Sequence, residues 1–273
     1  MAEITASKVN ELRSKTGLGM MECKKALTES AGDIEQAIAN LRKKGIKTSI
    51  TERAATEGRV AAAVSPDRKR AAAVELVCNT DFTAKSEVLA KIADEAVQQL
   101  LSNPSRNLED DAHIKSQLTA IAQQTGENVQ LGRTAVLDAP AGGTVGSYLY
   151  STAGKGKIAV LMATSSAAGT DVLNQLGMHI AAARPLSMNR DQVPKDIVAK
   201  EREIAVEQAK ATGKPQQIAE KIAEGKLNAF YAERVLLDQD FINAEVFKGK
   251  VADFLKGKGA ALQKYVRLEV GQS

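Results

Sequence analysis

A chain of 273 residues is long enough to bury a core, as one large domain or as two to three small ones. Its 37 basic and 33 acidic residues leave a formal charge of only +4, without the clustered Lys and Arg of a dedicated nucleic-acid binder. No apolar run approaches the roughly 20 residues that span a bilayer, and Met1–Leu12 lacks a signal-peptide pattern, so the reading is a cytoplasmic protein.

The first 45 residues read as three short helices. Ser7–Lys15 turns Val9 and Leu12 inward and stops before Gly17. The second starts near Gly19, with Met20, Cys23 and Leu27 at i, i+3 and i+7 on one face. The third follows Gly32-Asp33, sets Ile34, Ala37, Ile38 and Leu41 on one face, and ends at Gly45. Residues 46–57 are polar and read as a linker.

An alternating run then begins at Gly58, turns through Ser65–Arg70 and returns as Ala71–Cys78. The same plan starts 85 residues later at Gly143, turns at Gly154–Lys157 and returns as Ile158–Ala163. At that offset Val60 maps to Val145 and Leu76 to Leu161 without a gap. Each hairpin precedes a helix, Ser86–Leu101 and Asp171–Ala183, and each copy closes on a strand, Val129–Leu137 and Leu262–Val270. The second copy is longer by about 48 residues. These fall on two Ala-rich charged helices, Asp196–Ala211 and Pro215–Leu236, separated at Thr212-Gly213-Lys214. Ile197, Ile204 and Ala211 recur by seven, the spacing of a narrow seam in an antiparallel arm roughly 30 Å long.

The domain reading is thus residues 1–45, a linker at 46–57, an α+β unit at 58–140, and a second at 141–273 with a helical hairpin inserted at about 190–237.

Aromatic residues make up only 3% of the chain, and before Tyr148 the only Phe, Tyr or Trp is Phe82. It follows the turn chemistry of Asn79-Thr80-Asp81, at a strand-to-helix corner. At the repeat offset the second copy has Ala167 there, so the scaffold does not demand a ring. Two readings stay open: an exposed hot spot beside an acid, or a plug beneath the following helix. Thr80 and Asp81 also suit helix capping. Met21 shares a face with Lys24 and Lys25 and suits an adaptable contact or a solvated surface. Cys23 and Cys78 read as reduced core thiols, and His113 and His179 as structural. No phosphate loop, nucleophile elbow or metal-ligand spacing occurs, so neither catalysis nor a cofactor is expected. Arg68-Lys69-Arg70 and Lys155-Gly156-Lys157 are solvated hairpin tips, or phosphate contacts in a rival reading as an RNA-binding accessory protein.

The run Thr16-Gly-Leu-Gly-Met-Met-Glu-Cys-Lys-Lys-Ala-Leu27, followed by Gly32-Asp33-Ile34-Glu35 and Ala37, resembles the bacterial translation elongation factor Ts family. So do Cys78-Asn-Thr-Asp-Phe82 with Lys85, Met178-His-Ile-Ala-Ala182, and Gly213-Lys-Pro215 with Ile218-Ala-Glu-Lys221, which extends the resemblance over essentially the whole chain. The resemblance implies an α+β fold: a ubiquitin-associated-like three-helix module, two related subdomains each with a three-stranded antiparallel sheet, and an inserted antiparallel helical hairpin. It also implies a guanine-nucleotide exchange factor that binds elongation factor Tu and releases its GDP, without covalent catalysis. Arg13, Met20, Met21 and Lys24 then match an N-terminal contact with the GTPase domain, and Thr80, Asp81, Phe82 and Thr83 the segment that dislodges Mg²⁺. Tyr150 stands where enterobacterial-type relatives carry His, in a hairpin that meets the GTPase's third domain, and the arm beyond Phe230 also departs from the common pattern.

Overall fold

The computed structural model describes residues 4–44, 55–211 and 215–272. Three helices open it: α1 (Ala6–Thr16), α2 (Met20–Glu29) and α3 (Ile34–Lys43). Thr5 caps α1 by accepting from the Lys8 amide, and Gly17 ends it with a left-handed φ of 65°. Val9, Leu12, Cys23, Ala26, Leu27, Ala37 and Leu41 form a small separate core. Met20 departs from the inward face expected of it and is 55% exposed. It is the first residue of α2, and a helical side chain leans toward the N-terminus, here past the end of the helix. Gly45 and residues 46–54 of the expected linker lie outside the described residues, and Glu57 is already the first residue of a strand.

Two three-stranded antiparallel sheets follow. The first is ordered β1 (Glu57–Val64), β2 (Arg70–Cys78), β3 (Gln130–Asp138), and the second β4 (Thr144–Thr152), β5 (Lys155–Thr164), β6 (Leu262–Glu269). Helices α4 (Asp81–Lys85), α5 (Glu87–Ser102) and α6 (Ala112–Thr125) go with the first sheet, and α7 (Thr170–Ala183) with the second. Ala72, Val74, Leu76 and Cys78 pack with Leu89, Ile92, Ala96, Ile114 and Leu118 of the helices. Ile158, Val160 and Met162 pack with Leu173, Leu176 and Ile180, and with Leu236, Phe241 and Phe254 beyond the arm.

A third cluster lies between the sheets, made of Val60, Ala71, Ala73 and Leu137 from one and Val145, Ala159, Leu161 and Leu268 from the other. The architecture is therefore layered helix–sheet–sheet–helix. The central strands β2 and β5 are covered on both faces, which is why they read as continuous apolar runs rather than as alternation. Gly156 shows how closely the layers meet: a Cβ there would lie 2.1 Å from the Val60 carbonyl oxygen of the first sheet.

The repeat is real, but its constant offset is not. Val60 and Val145 both face the other sheet, whereas Leu76 faces helices and Leu161 faces the other sheet. Val60 pairs with Glu75 and Val145 with Ala163, so the second strands differ by 88 positions and the second hairpin is three residues longer. It closes on a two-residue turn, Ala153-Gly154, both with positive φ. The helices realign at 84, since Leu89, Ile92 and Ala93 occupy the places of Leu173, Leu176 and Gly177. The first copy thus has four extra residues between its second strand and its long helix, and α4 falls in that stretch. Phe82 has no counterpart in the second copy, so Ala167 is not its equivalent.

The inserted arm consists of α8 (Lys195–Lys210) and α9 (Gln216–Arg234); the connection at 212–214 lies outside the described residues. Its buried residues are Ala205 and Ala209 against Ala219 and Ala223, not the expected heptad. Ile204 is exposed, and alanine at i and i+4 lets the two backbones approach where isoleucine would hold them apart. A last helix, α10 (Val251–Gly257), leads into β6 and contributes Phe254 to an aromatic group with Phe241 and Phe247.

Candidate functional site

β2 ends at Cys78, whose thiol is buried beside the Thr80 carbonyl oxygen. Burial pushes that thiol up to about 11, so it stays protonated and inert at neutral pH. Both cysteines are free and buried, as the sequence suggested. Thr80 then takes an extended conformation and caps α4, its hydroxyl accepting from the Thr83 amide at 3.3 Å. Asp81 opens the helix rather than capping it. Thr83 and Ala84 turn inward, and Phe82 turns out.

Phe82 is 88% exposed, the most exposed large hydrophobic among the described residues. The alternative of a plug under the following helix is thereby removed: α5 has its own cap in Ser86 and covers β2 with Leu89, Ile92 and Ala93 instead. An isolated five-residue helix bearing an exposed ring should fray. This one is held on three sides.

At its start, the Glu127 carboxylate accepts four hydrogen bonds. The amides of Asn79 and Thr80 reach one oxygen at 3.2 and 3.1 Å, and the hydroxyls of Thr80 and Thr83 reach the other at 2.7 Å each. Asn79 accepts in turn from the Asn128 amide at 2.7 Å. At the far end, Arg59 of β1 donates to the carbonyls of Ala84 and Ser86 at 3.3 and 3.4 Å. On the flank, Asp81 is ion-paired with Lys85 and with Lys155, and Lys155 also reaches Glu57 at 2.7 Å. The hydrogen bonds from Lys155 and then Lys85 hold the Asp81 carboxyl below its usual range, so it is an anion at neutral pH. Burial opposes the Lys155 charge, but its two carboxylate partners outweigh that and raise its pKa.

Lys155 comes from the opposite sheet, at the base of the two-residue turn that closes the second hairpin. The same hairpin carries Tyr150, half-exposed on β4 beside Leu149. The Phe82 turn is therefore joined to the Tyr150 hairpin by an ion pair. Met20, Met21 (75% exposed) and Lys24 line an exposed face of α2, with Arg13 in the last turn of α1, on the separate three-helix unit.

Glu127 was not singled out in the sequence, and Lys155, read there as part of a solvated basic tip, is instead buried and ion-paired. Glu127 follows Gly126, the left-handed end of α6, where a carboxylate is unremarkable, and its partners lie 44 to 48 residues upstream. The first basic tip is not simply solvated, since each of its side chains is hydrogen-bonded within the protein although Lys69 stays exposed. Arg68 donates to the Ala168 carbonyl, Lys69 to that of Gly143, and Arg70 to Asp138 and the Leu101 carbonyl. His179 is buried and hydrogen-bonded, in keeping with a structural role, while His113 lies exposed beside Glu95. Among the described residues no group of three or more His, Cys, Asp or Glu is placed to hold a metal ion, and no helix is long and apolar enough to cross a membrane.

A family model described as Elongation factor TS matches residues 79–272, a span that contains the Phe82 turn, the Glu127 and Lys155 that hold it, and the arm. Curated relatives share the whole length. Elongation factor Ts of Pasteurella multocida (strain Pm70) is 42% identical over 275 residues, covering 100% of this chain and 93% of the relative. That of Thioalkalivibrio sulfidiphilus (strain HL-EbGR7) is 40% identical over 278 residues, covering 98% and 92%. With two thirds of the chain matched by the family model and nearly all of it by these relatives, the chain belongs to the elongation factor Ts family of translation elongation factors.

Proposed function

We propose that this protein is a cytoplasmic guanine-nucleotide exchange factor that binds elongation factor Tu·GDP, perturbs its Mg²⁺ and phosphate site, and promotes GDP release so that GTP can bind. The observation that carries this reading is Phe82, a fully presented ring on a turn tied down around it. Family membership supplies the target.

Such a factor forms and breaks no covalent bond. A GTPase grips GDP through phosphate-loop amides and a Mg²⁺ on the β-phosphate. A protein that binds the nucleotide-free state better weakens GDP binding by the factor with which GDP weakens its own. Seating Phe82 beside the metal site displaces the elements that hold the ion, while Thr80, Asp81 and Thr83 set the ring's approach. Arg13, Met20, Met21 and Lys24 hold the GTPase domain at a second point, and Tyr150 meets another part of the partner. The Met pair suits this contact because its flexible thioethers adapt to an irregular surface.

The rival RNA-contact reading is less favoured, since Arg68, Lys69, Arg70 and Lys155 have partners within the protein.

Phe82→Ala removes an exposed ring and leaves the fold intact, because no core contact is lost. Burying a phenylalanine in a partner pocket contributes about 2 kcal/mol, so stimulated GDP release is expected to fall roughly thirtyfold. The measurement is release of a fluorescent GDP from elongation factor Tu at saturating factor. Undiminished release by the variant overturns the proposal.

A further inference from the structure

The stretch that carries Phe82 exists only in the first copy, and the groups that hold it come from both copies. Glu127 uses both carboxylate oxygens on four donors, all within Asn79–Thr83. Lys155, buried at the base of its hairpin turn, crosses from the opposite sheet to reach Asp81. These bonds converge on Asn79–Thr83, of which only Thr83 is buried. So dense a set of charge-assisted bonds exceeds what a five-residue surface helix needs for cohesion with the fold. What they do fix is the direction of the ring.

We propose that Glu127 and Lys155 are positioning residues for nucleotide exchange: together they hold the α4 turn rigid, so that Phe82 is presented in a single pose before the partner arrives. This rests on the function proposed above. Glu127 sets the entry to the helix by gripping backbone and side chains at once. Lys155 sets its roll by drawing Asp81, the neighbour of Phe82, toward the second sheet. A ring held this way loses little freedom on docking, and that preorganisation is delivered where the nucleotide site is distorted rather than in overall affinity.

The test uses the full-length chain and intact elongation factor Tu loaded with fluorescent GDP. Glu127→Gln keeps size but turns an amide N–H₂ toward donors, and Lys155→Met keeps the stem but releases Asp81 from the second sheet, leaving it only Lys85. Each is expected to lower the maximal release rate at saturating factor about tenfold, while the concentration giving half the effect changes less than threefold. Placed in a Phe82→Ala background, each should cost less than a further twofold, because it acts through the ring. Hydrogen exchange on the free protein gives an independent readout: amides of residues 79–85 should exchange at least tenfold faster in Glu127→Gln, with β2 amides unchanged. If Glu127→Gln does not fold, Thr83→Val, which removes one hydroxyl from the same carboxylate, carries the same comparison. Wild-type release by the variants, or an equal loss with and without Phe82, overturns the proposal. Failure of the unmodified protein to release GDP defeats the function proposed above instead, and the exchange of residues 79–85 still decides whether the clamp rigidifies the turn.

Discussion

His179 is 1% exposed on α7, with both ring nitrogens already engaged. Nδ1 accepts from the Ile242 amide at 3.1 Å, which places the ring proton on Nε2, and that nitrogen donates to the Gln239 side-chain oxygen at 2.9 Å. The ring also stacks on Phe241, with centroids 5.4 Å apart. A second proton at Nδ1 would confront an N–H in an apolar setting. Burial accordingly lowers the His179 pKa, and its bond to Gln239 only partly offsets this. The sign follows from linkage: the unfolded chain binds this proton more readily than the folded one, so stability rises with pH. The contribution of the neutral ring is complete above the ordinary value of about 6.5 and is lost as pH falls below it through the lowered folded value. Thermal unfolding from pH 7.5 to pH 5 should therefore show a falling midpoint. His179→Asn, less stable throughout because it loses the stack, should show a shallower fall; an unchanged slope would defeat the assignment.

Among the elements, the helical arm separates what periodicity conveys from what it does not. Two long helices joined by a stop and restart were legible, because helix length and end signals are local. The seam was misread, because the seven-residue repeat of Ile197, Ile204 and Ala211 and a ladder of alanines are both compatible with a charged helix, and only the partner helix decides between them. Ala219→Leu should force α8 and α9 apart at a cost of roughly 1–3 kcal/mol. The loss should appear as faster amide exchange within the arm and not in the sheets. Ile204→Ser, on the exposed side, should change stability by less than about 0.5 kcal/mol; had Ile204 been a seam residue it would cost several times more. The hairpins teach a related lesson. Strand identity could be read from apolar runs and turns, but a three-residue difference in hairpin length leaves no trace in composition. The constant offset of 85 therefore matched Leu76, which faces helices, with Leu161, which faces the other sheet. In the same way Phe82 was legible as an isolated ring, whereas the hold of Glu127 and Lys155 on its turn was not, since a tertiary clamp has no sequence spacing of its own.

At the scale of the whole molecule, the sheets are joined by apolar contact and by a buried polar crossing. Glu75, 3% exposed on the central strand β2, pairs with Arg133 of β3 at 2.8 Å. Its other oxygen accepts from the Gly271 amide at 3.1 Å, just beyond β6 of the opposite sheet. Arg133 reaches across as well, donating to the Glu269 carbonyl. Glu269 is itself buried and paired with Arg184 and Arg267, so the C-terminal end of β6 is fastened to the first sheet through charged groups. A buried ion pair adds little net stability over a well-packed apolar pair, because desolvation offsets the attraction, but removing one member leaves the other charged and unsatisfied. Arg133→Met should therefore cost about 3–5 kcal/mol, read as a lower denaturant midpoint. Glu75→Leu alone should cost less than Arg133→Met, since the half-exposed Arg133 can turn to water and still donate to the Glu269 carbonyl. Combining Arg133→Met with Glu75→Leu should recover a substantial part of the Arg133→Met loss, because no charge then remains buried without a partner. Strict additivity of the two costs would mean that Glu75 acts through its Gly271 contact alone. In that event the sheets would be held by the alanine-rich layer between them, with the charged crossing contributing only the register of the last strand.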